Sequence, residues 1–579
     1  MKASLLLFGI MLIGLMMIAN EPKINELGLS ELAEVNKNKT LFSIVSSQGS
    51  EPAGVKENEK VTESPSTSIE KWKRFEVTLS NPSWSGNPFD LDLFATFEHI
   101  PTGRKINQLG FYAGNNIWKI YFMPDEIGEW TYKTQSTDKD LHGLTGSLNC
   151  IDSDLPGKLI GDGRLWLLED SHEYVAPIML PTREWFKRSN TSDGIDDFIF
   201  WADNTAGALI IGTTLIYFNG AQDELPYLKG QEGELFNIPM WDRLNSHYDV
   251  LRDRGMGFYI MFYSDDDESP NIHNIKAKSP EELRLFKYVI ARFSAYPIVM
   301  WDTGIDIRET RDNEWIDWFT DWFNANDPWK HPVSSRTGGG SGGKFPGHGT
   351  YYSDGASQLP SHTEVVKDWV CRNVPTAFTD RWREDYSRGE FDRDMIRRAA
   401  WEIGLVGGIT MYVSGNENDG YLNETYATDF KAAPDLGLRT QFFREEIMDF
   451  KSLTPSDRLI LAGDGVVLAA NNGKEYVVYD YNGGSFTINL EEVSGSLNAK
   501  WFNPRTGEWI DGNQVQGGGA RIFTTPTNQD WVLHLFREGT GFNSLLSHSK
   551  FEVSTPNAFS LENISGIVYR LFLPRVINC

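Results

Sequence analysis

Hydrophobic and polar positions change rhythm several times along the chain. Behind Lys2, an apolar run extends from Ala3 to Ala19; residues 21–68 then carry only scattered apolar positions among Glu, Lys, Ser and Asn. The run has the form of a secretory signal, residues 1–20. It is also just long enough to span a bilayer, which takes roughly 17–25 residues, so an uncleaved anchor is the alternative. Residues 21–68 cannot bury enough surface to offset chain entropy, and a disordered linker is expected there. Between 69 and 157 the pattern becomes short alternating runs, among them "FEVTLS", "DLFATFEH", "IWKIYFMP" and "GEWTYKTQS", with turn residues between them. That rhythm predicts an antiparallel β-sandwich.

From 158 to 450 strand-like runs alternate with amphipathic ones. The strand candidates are "YVAPIML" (174–180), "ALIIGTTLIYF" (208–218), "MGFYIMFY" (256–263), "PIVMWD" (297–302), "PVSSRT" (332–337), "GTYYSDG" (349–355), "PTAFTD" (375–380) and "GITMYVS" (408–414). Stretches such as "SPEELRLFKYVIARF" and "DRDMIRRAAWEIGLVGG" fall between them and open with the Ser-Pro or Asp that helix starts favour. Eight strands alternating with helices predict a (β/α)8 TIM barrel. A doubly wound sheet is less well supported, because the first strand is not followed by a glycine-rich phosphate turn. Residues 455–537 return to β rhythm, a second antiparallel sandwich. The tail, 538–579, has no assigned role. The expected fold is therefore multidomain, a barrel between two sandwiches.

Composition narrows the function. At 579 residues with 40% hydrophobic and 13% aromatic content, the chain has ample material for several cores. A formal net charge of −26 argues against a nucleic-acid partner, which would require a basic face. Three cysteines permit one disulfide at most and no structural zinc site. A secreted or periplasmic enzyme is expected, with no membrane partner beyond the possible anchor.

In a barrel the chemistry sits at the C-terminal strand ends. Those ends carry Arg183, Glu184 and Trp185 after the first strand and "SDDDES" (264–269) after the third. Asp306 and Glu309 follow the fourth, Arg336 ends the fifth, and Tyr351 and Asp354 lie on the sixth. The seventh leads into Asp380, Arg381, Trp382, Arg383 and Glu384, and the eighth into "NENDG" (416–420). Carboxylates ending both the fourth and seventh strands suit glycosidic bond cleavage. One carboxyl protonates the leaving oxygen, and the other attacks the anomeric carbon or activates water. A pair about 5 Å apart gives retention and a wider gap gives inversion. Trp185, Trp301, Tyr351 and Trp382 are candidates to stack on sugar faces, with core packing the alternative for each.

The order "NPFDLDLFATFEH…LGFYAGNNIWKIYFMPDEIGEWTY" resembles the N-terminal sandwich found ahead of barrel glycoside hydrolases. "WDTGID" is similar to the fourth-strand motif of the apiosidase-like group of clan A hydrolases, and the resemblance places the general acid/base on Asp306. "PTAFTDRWRED" matches the seventh-strand position of the nucleophile but offers Asp380 where the group has glutamate. Glu384 is held in reserve for that role. The segment "AKWFNPRTGEWI…FTTPTNQDWVLHLF" resembles the collagen-binding domain of a collagenase. The resemblance covers residues 70–537 and implies a retaining glycoside hydrolase that needs no cofactor. Aspartate is one methylene shorter than glutamate, so an inverting enzyme remains open. So does a glycan-binding protein on a barrel that has lost catalysis.

Arg183, Arg308, Arg336, Arg381 and Arg383 gather at the strand ends. They either bind an anionic glycan through bidentate hydrogen bonds or pair with the neighbouring acids Asp302, Glu309, Glu384 and Asp385. Other motifs lead elsewhere. "GGGSGGK" (338–344) has a phosphate-loop skeleton, but Phe345 stands where Ser or Thr should hold magnesium. The acids of "NENDGYLNE" miss the EF-hand positions, and the histidines show no H-x-x-x-H spacing, so no metal is expected. No G-x-S-x-G elbow supports an acyl hydrolase.

Overall fold

The computed structural model describes residues 67–182, 192–215, 225–263, 270, 275–338, 342–355, 359–379, 391–412 and 430–537. The expected signal, nearly all of the linker and the tail lie outside these residues. The last two residues assigned to the linker, Thr67 and Ser68, already belong to a strand.

The N-terminal segment forms one seven-stranded sheet. Its order is Thr67–Glu70, Thr145–Ile151, Gly128–Ser136, Leu93–His99, Lys105–Tyr112, Ile117–Phe122 and Phe75–Ser80. The alternation seen in sequence is real: Leu93, Ala95, Phe97 and His99 are buried while Phe94, Thr96 and Glu98 are half-buried. The first strand pairs in parallel with Thr145–Ile151, unlike the antiparallel remainder. Lys105–Tyr112 pairs with Leu93–His99 through Leu109 and with Ile117–Phe122 from Gly110 onward. The switch falls at a glycine whose side chain would meet Leu93 at 2.6 Å.

A small sheet, Leu159–Asp162, Leu165–Leu168 and Glu173–Val175, precedes the barrel. The expected first strand, 174–180, is therefore split. Its first two residues pair in this small sheet, and the barrel strand begins at Ile178, just past Pro177, which has no N–H to donate.

The central sheet is nearly closed and barrel-like, with nine parallel strands. In chain order they are Ile178–Thr182, Ala208–Thr214, Gly257–Tyr263, Val299–Gly304, Val333–Ser334, Arg336–Thr337, Tyr352–Asp354, Thr376–Phe378 and Ile409–Met411. Ile178–Thr182 pairs with both Ala208–Thr214 and Ile409–Met411. The two ends of the sheet, Val333–Ser334 and Arg336–Thr337, are separated only by Ser335. They are the two halves of the expected fifth strand, one pairing with the fourth strand and one with the sixth.

Seven helices follow the strands among the described residues: Ser192–Asn204, Ile238–Asp253, Pro280–Phe293, Asn313–Asn326, His362–Cys371, Arg393–Gly404 and Ala433–Glu445. The start signals hold. Ser279 accepts from the Glu282 N–H with Pro280 in the first turn, and Asp392 accepts from the Met395 N–H. Inward side chains, including Met179, Ile210, Tyr259, Met300, Tyr351 and Met411, fill the barrel, with Trp166 and Leu168 of the small sheet closing one end. Outward ones, such as Ile260, Phe262, Val299 and Trp301, pack against the helices.

Residues 454–536 form a seven-stranded sheet and a three-stranded sheet (Ile460–Ala462, Ser485–Asn489, Ala520–Thr524). Phe486 and Ile488 of the smaller sheet share a core with Leu468, Val478 and Leu533 of the larger.

All these sheets belong to one compact unit. Arg74 bonds Asp249 at 2.8 Å, Gln108 bonds Ser294 at 3.2 Å, and the Trp329 indole donates to the Met123 carbonyl at 3.1 Å. Phe89 and Phe111 pack on Phe236 and Tyr288. On the other side Trp401 stacks on Tyr479, Phe442 stacks on Trp509, and Arg397 bridges Asp435 (2.8 Å) and Asp530 (2.7 Å).

Candidate active site

The fourth strand ends in a turn built for one backbone path. Gly304 has φ +122°, and a side chain there would lie 1.9 Å from the Tyr263 carbonyl oxygen. Only glycine allows that approach. The Ile305 N–H donates to the same carbonyl at 3.0 Å. Asp306 follows in the left-handed region, φ 44° and ψ 37°, and its carbonyl accepts from the Glu309 N–H at 2.9 Å. A non-glycine residue in that region is uncommon, aspartate being among those that tolerate it, and such strain clusters at functional sites. Asp306 is half-buried, at the C-terminal end of a barrel strand.

The turn is held from behind. Arg311 ends the loop, and its guanidinium donates to Glu282 from Nε (3.1 Å) and from a terminal nitrogen (2.8 Å). Glu282 is fully buried and also accepts from the Tyr263 hydroxyl (3.0 Å), the Trp315 indole (2.9 Å) and the Lys278 N–H (2.6 Å). Third strand, loop and two helices thus converge on one carboxylate.

Asp302, one layer below, is fully buried inside the barrel. Its Oδ1 accepts from the Gly304 N–H at 3.0 Å and the Arg336 N–H at 3.1 Å, and its Oδ2 from the Tyr351 hydroxyl at 3.2 Å. Burial pushes this carboxyl up to about 6, opposed by the Gly304 N–H, the Tyr259 hydroxyl and the N–H and charge of Arg336. From sequence Asp302 is only a partner for a nearby arginine. The inward alternation Met300, Asp302, Gly304 is the signal that it faces the barrel interior.

Arg336 is buried, and Gly355 makes room for it, since a side chain there would lie 2.4 Å from Arg336 Cγ. Tyr351 is fully buried, its hydroxyl 3.1 Å from the Trp301 carbonyl. Trp301 is fully buried too, on the outer face of the barrel, with its indole on Asp327 at 2.8 Å. Its place is in the core and not on a sugar. Arg308 is exposed and, among the described residues, makes no ion pair. It borders an open groove of about 590 Å³ lined by Arg308, Thr310, Arg311, Asp312, Asn313 and Glu314. Lys344, of the glycine-rich segment, is bound to Asp317 of helix Asn313–Asn326. Arg183, Glu184, Trp185, Asp380, Arg381, Trp382, Arg383 and Glu384 lie outside the described residues, as do "SDDDES" and "NENDG".

Residues 68–137 match a family model described as a domain of unknown function (DUF5060), and residues 457–535 one described as "Putative collagen-binding domain of a collagenase". No curated protein matches the chain in sequence. Among solved structures, one titled "putative glycoside hydrolase" from Bacteroides vulgatus ATCC 8482 is similar, with 17% identity, a TM-score of 0.66, and coverage of 81% of this chain and 99% of that one. A second, titled glycoside hydrolase, has 16% identity, a TM-score of 0.55 and coverage of 67% and 99%. A family 5 glycoside hydrolase, also from Bacteroides vulgatus, has 15% identity, a TM-score of 0.54 and coverage of 66% and 94%. The chain shares its multidomain barrel fold with solved glycoside hydrolases.

Proposed function

We propose that the protein is a glycoside hydrolase of the apiosidase-like kind, exported from the cell, its barrel set between two β-sandwiches. The observation that carries this reading is Asp306, held by a left-handed turn at the C-terminal end of the fourth barrel strand, in a fold shared with solved glycoside hydrolases. Asp306 protonates the glycosidic oxygen as the bond to the anomeric carbon breaks. Asp380, or Glu384 in its place, attacks that carbon and forms a glycosyl-enzyme ester. Water then cleaves the ester, with Asp306 taking its proton. Retention follows if the two carboxyls stand about 5 Å apart.

The test is Asp306→Asn. On a polysaccharide it should lower kcat by at least about 100-fold, the lower end of the usual range for a general acid. On an aryl glycoside with a good leaving group, which needs no proton, the loss should be far smaller. Equal losses on both substrates would assign Asp306 another role.

The substrate we favour is an anionic glycan, with Arg308 as the exposed cation beside Asp306. Binding of this kind weakens as salt screens it, so KM for a uronate-bearing or sulfated glycan should rise with salt while that for its neutral counterpart stays level. Equal cleavage of both, insensitive to salt, would reject the anionic class. The second reading, a glycan-binding protein without catalysis, rests on aspartate at 380. Binding without turnover across plant and algal polysaccharides would favour it.

A further inference from the structure

We propose that Asp302 and Tyr351 form a two-state hydrogen-bond switch beneath the turn that carries Asp306, which makes Asp302 a positioning residue for that acid. The proposal rests on the reading of Asp306 given above. Asp302 is fully buried, and three neighbouring strands meet on it. The fifth bonds it through the Arg336 N–H, with the guanidinium charge acting on it as well, the sixth bonds it through the Tyr351 hydroxyl, and the third brings the Tyr259 hydroxyl near without a hydrogen bond. Its own strand adds the Gly304 N–H.

The Tyr351 hydroxyl makes two states possible. It stands 3.1 Å from the Trp301 carbonyl and 3.2 Å from Asp302 Oδ2. When Asp302 is ionised it can only accept, and Tyr351 donates to it. When Asp302 takes a proton from solvent, its O–H donates to the Tyr351 oxygen, and Tyr351 turns its own hydrogen to the Trp301 carbonyl. The pair is satisfied in either state, so neither state is blocked by an orphaned polar group. What changes is the charge on the oxygen that holds Gly304 and Arg336. Hydrogen bonds to an ionised acceptor are roughly twice as strong as neutral ones. Ionisation therefore draws the Gly304 turn and the Arg336 backbone inward, and protonation relaxes them. Asp306 is two residues beyond Gly304 on a strained path, so it moves with the turn.

Asp302→Asn fixes the neutral pattern: its Oδ1 still accepts both N–H groups, and its amide donates to Tyr351. Hydrogen exchange of the full chain, corrected for intrinsic rates, should show peptides covering 303–311 better protected at pH 7.5 than at pH 5 in the wild type, and equally protected at both in Asp302→Asn. Tyr351→Phe keeps the carboxyl but removes the hydroxyl that serves both of its states, so the difference between the two pH values should shrink; a difference of full size would leave Tyr351 out of the switch. Stability gives a second readout. A carboxyl raised in the folded state contributes its stabilisation fully below the ordinary carboxylate range and loses it as pH rises through about 6. Asp302→Asn should lack that decline in Tm. On a cleavable glycan, the inflection of kcat/KM near pH 6 should vanish in Asp302→Asn with KM unchanged. The same pH-dependent exchange over 303–311 in wild type and Asp302→Asn would overturn the switch, whether or not the protein cleaves glycans. Switching retained in a protein inactive on every glycan would instead refute the hydrolase reading.

Discussion

Gly304 carries two burdens that a glycine can combine, a positive φ and contact with a neighbouring carbonyl. Gly304→Ala meets both, the backbone strain and a contact 1.9 Å from Tyr263. It should lower stability by about 3 kcal/mol, the upper end for a strained backbone site, and lower kcat with it. Gly103→Ala is the control. Its φ is +71° with open space around it, so only the left-handed penalty of about 1–2 kcal/mol applies. Equal losses in the two variants, measured by urea unfolding, would mean that the Gly304 turn relaxes around a methyl group. At this scale the sequence was legible in part. The strand of "WDTGID" was readable from its buried run, and the structure adds the left-handed turn at Asp306 that follows it. The inward carboxyl of Asp302 was not legible. Alternation shows that it shares a face with Met300, but not which donors of the fifth and sixth strands reach it.

The elements behind the site act through one carboxylate. Glu282 opens helix Pro280–Phe293, yet its side chain joins Tyr263, Arg311, Trp315 and the Lys278 backbone. Removing one partner of a buried pair leaves the other charge uncompensated, so Glu282→Ala should cost about 3–5 kcal/mol. Glu281→Ala, next to it and bearing no such network, should be nearly neutral. A small effect of Glu282→Ala on the denaturation midpoint would show that Arg311 finds water or another acceptor. The helix itself was readable from Ser279, Pro280 and its apolar spacing. That its third residue, Glu282, turns inward was not, because Glu in a first turn usually serves the helix dipole. The fifth strand shows the reverse case. "PVSSRT" predicted a strand, and the break at Ser335 came from pairing with two different neighbours, a tertiary effect invisible in a six-residue window.

At the scale of the whole molecule, the sequence rhythm set an alternating strand-and-helix region between two regions of strands, and the structure has that order. It gave no warning of how firmly they are joined. A barrel fragment, 158–450, would expose Tyr288, Phe236 and Trp329 on one side and Trp401 and Phe442 on the other, all buried in the full chain. Apolar patches of that kind favour association. The fragment should be insoluble or unfold without cooperativity, whereas 67–537 should show one cooperative transition by calorimetry. A soluble 158–450 fragment with a sharp transition would make the flanking sheets peripheral. The same joints set a timetable for synthesis. Gln108 bonds Ser294 across 186 residues of chain, which a ribosome adding roughly 5–20 residues per second needs roughly 10–40 s to make. Through that interval Phe89 and Phe111 have no helix to cover them. An N-terminal sheet that folds as it emerges therefore displays these rings until the barrel helices are made.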